Sequence, residues 1–554
     1  MVVSGTEKPW LALYPSGVDE DVEAEYATLV EAWISRLSRQ PDAPALAYFD
    51  RQYSVRETDA MAEALASALA ERGVGRGDHV GVYLQNIPQY ALVLLALWKL
   101  GAAALILNPM YRGEELRRLI VDAEAVGIIC EDDGIEAATD ATAGTTVRWV
   151  ISTSARDLQS RDDARVFGEH PQRPEPAPGG DLLTLVEEHR GRTVPPLDLT
   201  SEDVALLTYT SGTTGPPKGA MNSHGAVLHV ATSYARWTDL RSGDVVFAIA
   251  PLFHITGAVV NATMALVHDT LLVFAHRFRA EVVLDAFAEY QVTTTVGSIT
   301  AFNALAEVPG SSREHFASLR ALYSGGAPIP PATVRRFVDR FGVYIHNVYG
   351  MTETSSAVIG VPLGAEAPVH EPSGTLSIGV PLPGLTARII DAEGQPLPPG
   401  EQGELELTGP QLMTGYWRKP DVTEQTMPGG RLRTGDVAIM DEQGWVYLVD
   451  RLKDQINVSG YKVWPREVED ALYEHPAVLE AAVVGRPDEY QGESVVAYVS
   501  LAAGQSVEPA TLRSFVKERL AAYKVPRDVH VVAGLPKTAT GKIRRNVLRD
   551  RTDA

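Results

Sequence analysis

Residues 210 to 219 read Thr210-Ser211-Gly212-Thr213-Thr214-Gly215-Pro216-Pro217-Lys218-Gly219, directly after the apolar run Val204-Ala205-Leu206-Leu207-Thr208-Tyr209. So short an apolar run reads as a buried strand, which makes the glycine-rich stretch a loop at the end of a sheet, with a helix expected behind it. Its glycines let backbone N–H groups close on an anion, the hydroxyls of Ser211, Thr213 and Thr214 add donors, and Lys218 supplies a point charge. These are the requirements of phosphate binding. The spacing departs from the nucleotide loop G-x-x-x-x-G-K-[ST], because Gly219 follows Lys218 and no hydroxyl is left there for magnesium.

The remaining pattern is layered α/β. Strand-like runs at 245–249, 271–274, 293–296, 319–323 and 343–348 alternate with segments of helical period, such as 331–338. The most apolar stretch, 91–107, is broken by Lys99 and Gly101 and reads as helix, turn and buried strand, so no transmembrane segment is expected. Proline-rich sequence between about 154 and 202 reads as an exposed excursion, and 374–449 as β-rich. A small α+β module follows, with helices at 465–473 and near 509–522 and strands near 478–484 and 495–500. A chain of 554 residues exceeds a single core. Its formal charge of −22, from 49 basic and 71 acidic residues, argues against a nucleic-acid surface. The single cysteine, Cys130, excludes an intrachain disulfide framework and reads as a buried strand residue. The N-terminus shows no secretory pattern, and a cytoplasmic protein is expected.

The string at 210–219 resembles the phosphate loop [ST]-S-G-[ST]-T-G-x-P-K-G of the adenylate-forming superfamily, which includes acyl-CoA synthetases, luciferases and peptide-synthetase adenylation domains. Further motifs follow in that superfamily's order: Ser324-Gly325-Gly326-Ala327-Pro328, Asn347-Val348-Tyr349-Gly350-Met351-Thr352-Glu353, Arg433-Thr434-Gly435-Asp436, Asp450-Arg451-Leu452-Lys453-Asp454, Ser459-Gly460-Tyr461-Lys462 and Pro536-Lys537-Thr538-Ala539-Thr540-Gly541-Lys542. The resemblance implies a large domain over 1–450, itself two α/β subdomains plus a β-rich one. A hinge at 451–453 and a small mobile α+β domain over 454–554 complete the expected architecture.

What the resemblance implies for the site is specific. Thr210 to Gly215 and Lys218 would hold the ATP phosphates, and Gly325 to Pro328 would pass adenine and the acyl carbonyl. Tyr349, within Asn347 to Met351, would stack on adenine, Thr352 would bond the α-phosphate, and Glu353 would help hold Mg2+, a hard cation suited to one carboxylate plus phosphates. Asp436 would accept from both ribose hydroxyls, and Arg451 would contact ribose or phosphate. Lys453 would be the hinge. Lys542 would bridge the carboxylate and the α-phosphate, two anions whose approach a cation positions and neutralises. Acetylation of Lys542 would remove that charge. Ser459, Gly460, Tyr461 and Lys462 would meet CoA after the small domain rotates.

The expected function is ATP-dependent acyl-CoA synthesis through an acyl-adenylate, with ATP, Mg2+ and CoA. Pro251-Leu252-Phe253-His254-Ile255-Thr256-Gly257 carries His254 where amino-acid-activating relatives usually have an aspartate, so an amino-acid substrate is disfavoured. In the form seen in fatty-acyl and aryl-acid ligases, His254 would lie beside the carboxylate; a helix-capping histidine is the alternative. Gly350 replaces the tryptophan by which acetyl-CoA synthetases close the pocket. A medium- or long-chain fatty acid is the first expectation and an aryl or cyclic acid the second. Other readings are an acyl-AMP ligase loading a separate carrier protein in trans, and a binding protein that has lost its chemistry. A homodimer is compatible with the chain.

Overall fold

The computed structural model describes residues 8–22, 25–168, 173–210, 217–327, 329–371, 374–451, 454–458, 461–488, 492–538 and 542–549. A nine-stranded sheet has at its centre the parallel strands Val245–Phe247, Leu271–Phe274, Thr294–Gly297 and Ala321–Ser324. The chain leaves Val245–Phe247 on one side for Leu271–Phe274 and returns on the other for Thr294–Gly297. Such a reversal of strand order opens a crevice at the carboxyl ends of the strands, where ligands of open α/β sheets bind. A seven-stranded sheet holds the parallel strands His79–Tyr83, Ala103–Ile106, Gly127–Glu131, Val150–Thr153 and Val204–Thr210.

The phosphate-loop segment departs from the sequence reading in one respect. Lys218–Ser223 is a strand, antiparallel to Val204–Thr210, and the helix His224–Trp237 starts only after it. Ser223 explains the delay: its hydroxyl accepts from the Ala226 N–H and fixes the helix start there. The stretch 154–202 is also more tightly held than expected, since the helix Leu182–Glu188 buries Leu182, Leu185 and Val186. The apolar stretch is the helix Pro88–Lys99 and the strand Ala103–Ile106, joined through Gly101 at φ +68°. Lys99 is buried because Asp59 and Glu63 meet its ammonium at 2.9 and 2.6 Å. No helix of the described residues is long and apolar enough to cross a membrane. Cys130 is fully buried in its strand, which pushes its thiol pKa up.

A four-stranded antiparallel sheet, Thr386–Ile390, Gln402–Thr408, Leu432–Met440 and Val446–Arg451, makes the β-rich part. Residues 456 to 531 form a separate five-stranded sheet, with the helices Pro465–Tyr473 and Pro509–Lys517 against it. This small unit docks through Trp464, which is buried against Val437, Ile439 and Val449. Beside it, Arg466 donates to the carbonyl of Leu448 at 3.0 Å. Truncating a core Trp costs roughly 3–5 kcal/mol, and about 1.4 kcal/mol already changes an opening equilibrium tenfold. Trp464→Ala is therefore expected to speed amide exchange in Val446–Arg451 at least tenfold while leaving Ala103–Ile106 unchanged; equal exchange in both proteins would place the docking energy elsewhere.

Candidate active site

The helical stretch behind Val245–Phe247 brings His254 to the crevice. Pro251 O accepts from the His254 N–H at 3.0 Å, and a Cβ on Gly257 would lie 2.1 Å from that same carbonyl, so only glycine allows this turn. From Gly257 to Thr263 the helix widens to π geometry, a distortion that recurs at functional sites. Its far end is pinned by Arg36, whose buried guanidinium donates to the carbonyls of Ala265, Leu266 and Thr270 at 2.6, 3.0 and 2.6 Å.

His254 Nδ1 accepts from the Thr256 N–H at 3.3 Å, so the ring proton of the neutral form sits on Nε2. This is a local capping contact. The ring lies deep in the protein yet keeps part of its surface open to the crevice. Burial pushes its pKa down to about 4, and the ammonium of Lys542 pushes it the same way. Lys542 is exposed and held by its backbone, with its N–H on Thr538 Oγ1 at 3.1 Å and its carbonyl accepting from the Thr538 N–H at 2.7 Å. The charge of Lys542, on the small unit, thus bears on the His254 ring of the large one.

Asn347, Val348, Tyr349, Gly350 and Met351 belong to the strand His346–Met351, which turns through a short 3-10 segment, Thr352–Thr354, into the antiparallel strand Ser356–Gly360. Asn347 is buried and donates to Ser377 O at 3.3 Å. The Tyr349 hydroxyl donates to Asp436 Oδ2 at 2.7 Å, fixing a carboxylate that is 5% exposed. Asp436 lies opposite Arg451 in the strand register. Glu353 is buried, and its Oε1 accepts from the Tyr416 hydroxyl at 2.6 Å. Burial and the Glu353 charge push the Tyr416 pKa far up, so that hydroxyl remains a donor. Lys218 Nζ sits 5.2 Å from the centre of the Tyr416 ring. Glu353 and Lys218 thus both lie against Tyr416, and a hard carboxylate oxygen there fits a magnesium held mainly through phosphates. Asn222 donates to Thr352 O at 2.9 Å and to Ser355 Oγ at 3.1 Å, so it braces the same turn.

Gly325, Gly326 and Ala327 follow the strand Ala321–Ser324. Gly326 has φ +81°, and a Cβ there would meet nothing within 4 Å, so this backbone borders open space. Tyr461 is exposed and stacks on Tyr523 at 4.8 Å between ring centres. Ser211, Gly212, Thr213, Thr214, Gly215, Pro328, Lys453, Ser459 and Gly460 lie outside the described residues, as do the side chains of Arg451 and Lys462. Sequence reasoning missed Tyr416 and Asn222. Asn222 had a signal, a polar amide directly after the small and apolar Gly219-Ala220-Met221, whereas Tyr416 is one aromatic in a turn-rich stretch and nothing in its spacing points to Glu353.

A family model described as AMP-binding enzyme matches residues 34–417, and one described as AMP-binding enzyme C-terminal domain matches residues 467–542. The chain is 33% identical, over 98% of both chains, to a long-chain-fatty-acid–CoA ligase of Escherichia coli O6:H1. It is also 33% identical, over 94% of this chain and 98% of the other, to a feruloyl-CoA synthase of Amycolatopsis sp.. The crystal structure of the anthranilate CoA ligase AuaEII in complex with anthranoyl-AMP matches it with a TM-score of 0.85 at 27% identity, covering 95% of this chain and 97% of that one. The chain belongs to the AMP-binding enzyme family. Within it, the protein is an AMP-forming acid–CoA ligase that uses ATP, Mg2+ and CoA.

Since His254 binds its proton more weakly folded than at its ordinary value of 6.5, the unfolded chain takes up the extra proton between about pH 6.5 and about 4, and stability falls as pH falls through that window. Burial also pushes His224 and His346 down to about 4, which adds to the same slope. Thermal melts are expected to move down steadily below pH 6.5. In histidine-labelled NMR, Lys542→Met should raise the His254 midpoint; an unmoved midpoint would separate the two residues.

Proposed function

We propose that the protein activates a medium- or long-chain fatty acid as its acyl-adenylate and transfers the acyl group to CoA. The observation that carries the first half-reaction is a His254 ring kept neutral by burial, on which the charge of Lys542 also bears. There the carboxylate oxygen attacks the α-phosphorus, the bond to the bridging oxygen of the β-phosphate breaks, and pyrophosphate leaves. Lys542 would span the attacking carboxylate and the α-phosphate, offsetting charge that grows in the transition state. His254 keeps its Nε2 proton for the carboxylate without adding a second cation. Asp436, oriented by Tyr349, would accept from the ribose hydroxyls, and Thr352 would donate to the α-phosphate. Lys218, with Thr210 to Gly215, would hold the outer phosphates. Glu353 would hold Mg2+, which supplies charge neutralisation of the leaving pyrophosphate.

In the second half-reaction the CoA thiol attacks the acyl carbon and AMP departs. We assign Lys453 as the hinge that withdraws Lys542, and Ser459, Gly460, Tyr461 and Lys462 as the CoA side. The fatty-acid reading is supported by the full-length likeness to long-chain-fatty-acid–CoA ligases. The likeness to a feruloyl-CoA synthase makes an aryl acid the second reading. A carrier-protein thiol in place of CoA is a further acceptor. The reaction draws on ATP and CoA, and we place it in the cytoplasm.

Pyrophosphate release should be measured with ATP and Mg2+ across saturated fatty, aryl and amino acids, each with and without CoA. Saturated fatty acids should give the highest kcat/KM, with thioester product when CoA is present; aryl acids leading the panel would install the second reading. Lys542→Ala should slow adenylation by about 100- to 1,000-fold, the scale of losing one transition-state donor. It should slow thioester formation from supplied acyl-AMP by less than about tenfold, and equal losses in both steps would refute the division of labour.

A further inference from the structure

The flanks of residues 211–216 meet at one carboxylate that none of the motifs contains. Asp122 ends the helix Gly113–Asp122. Tyr209, in the strand entering the loop, donates its hydroxyl to Asp122 Oδ2 at 2.6 Å. Lys419 places Nζ 3.0 Å from Oδ1 and 3.2 Å from Oδ2, and the same ammonium donates to the carbonyl of Pro217, on the exit side, at 3.1 Å. Two residues back, Trp417 donates its ring N–H to the Asp122 carbonyl at 3.0 Å and its backbone N–H to Gly219 O at 2.8 Å. Asp122 and Lys419 are both half-buried, so water competes with these bonds only in part.

We propose that Asp122 and Lys419 are positioning residues for ATP: together they fix the separation of the two flanks of the phosphate loop and so set its affinity for the ATP phosphates. The inference rests on the reading of 210–219 as that loop. Backbone donors bind an anion tightly only when held ready in the bound geometry, since ordering them on binding is subtracted from affinity. A two-stranded hairpin constrains its stems by backbone pairing, and the Asp122 carboxylate adds a cross-brace at the point where pairing stops, Thr210 opposite Lys218. Because the Lys419 ammonium is already engaged by Asp122 and Pro217, its role is to hold the loop's stem. A direct phosphate ligand at 419 would behave differently, for removing Asp122 would then free it to bind ATP better.

The test is steady-state kinetics of the full chain by ATP–pyrophosphate exchange, for wild type, Lys419→Met, Asp122→Asn, the double variant, Tyr209→Phe and Lys218→Ala. Lys419→Met and Asp122→Asn should each raise KM for ATP about tenfold, with kcat and KM for the acid within twofold of wild type. The double variant should do no worse than either single, because both changes release one brace. Tyr209→Phe, which keeps the ring, should raise KM for ATP about threefold and guards against misfolding of the charge variants. Asp122→Asn leaving KM for ATP unchanged or lower, or multiplicative effects in the double variant, would overturn the brace. So would a parallel rise in KM for the acid. If Lys218→Ala also leaves KM for ATP unchanged, the phosphate-loop reading itself fails, and that result is distinct from failure of the brace alone.

Discussion

The crevice depends on how closely two antiparallel strands approach behind it. A Cβ at Gly350 would lie 1.8 Å from the carbonyl oxygen of Ser356, so any side chain there has to push backbone aside. The strand register shifts between Tyr349 and Gly350, and such an irregularity re-aims the side chains around it. Tyr349 turns toward Asp436 on one side of the hairpin, and the tight turn beyond it tucks Glu353 against Tyr416 on the other. Two carboxylates are thereby oriented by two tyrosines from one hairpin. The β-rich segment that supplies Tyr416 also pairs, at Gly415–Tyr416, with the strand Lys218–Ser223. Asp436, Glu353 and the strand Lys218–Ser223 are therefore joined through the Tyr349 and Tyr416 contacts.

Electrostatics explains why so few cations suffice. The chain as a whole carries −22, yet its substrates are anions, so positive charge has to be local. Lys218 is held over an aromatic face, and Lys542 arrives on a separate unit. His254 stays neutral beside Lys542 because burial and the ammonium both oppose its protonation. With the acid's carboxylate bound there, as proposed, a fixed second cation would hold it tightly before reaction as well as during it, and only stabilisation specific to the transition state speeds the chemistry.

The layered α/β fold, the α+β character of the small unit and the order of the motif strings were legible because they rest on local pattern: helical-period, period-two or continuous apolar runs and glycine turns. The helix expected directly behind the phosphate loop was misplaced, since Lys218–Ser223 is polar and glycine-bearing and becomes a strand only through pairing with Val204–Thr210 and Gly415–Tyr416. Asp436 was picked out as a ribose ligand, but nothing in the sequence linked it to Tyr349, 87 positions away. Tyr416 was invisible for the same reason: its partner, Glu353, is a contact of the folded chain. Gly350 was read through the acyl group, while the backbone itself already demands glycine there.

The central claim is that a carboxylate oxygen attacks the α-phosphorus in this crevice. The direct measurement is oxygen transfer from palmitate carrying 18O in both carboxylate positions, incubated with the enzyme, ATP, Mg2+ and CoA and followed by mass spectrometry of the nucleotides. Attack by the carboxylate oxygen predicts AMP that has gained one 18O per thioester formed and pyrophosphate that has gained none. Label in inorganic phosphate with ADP as the nucleotide product, or unlabelled AMP alongside thioester, would contradict it.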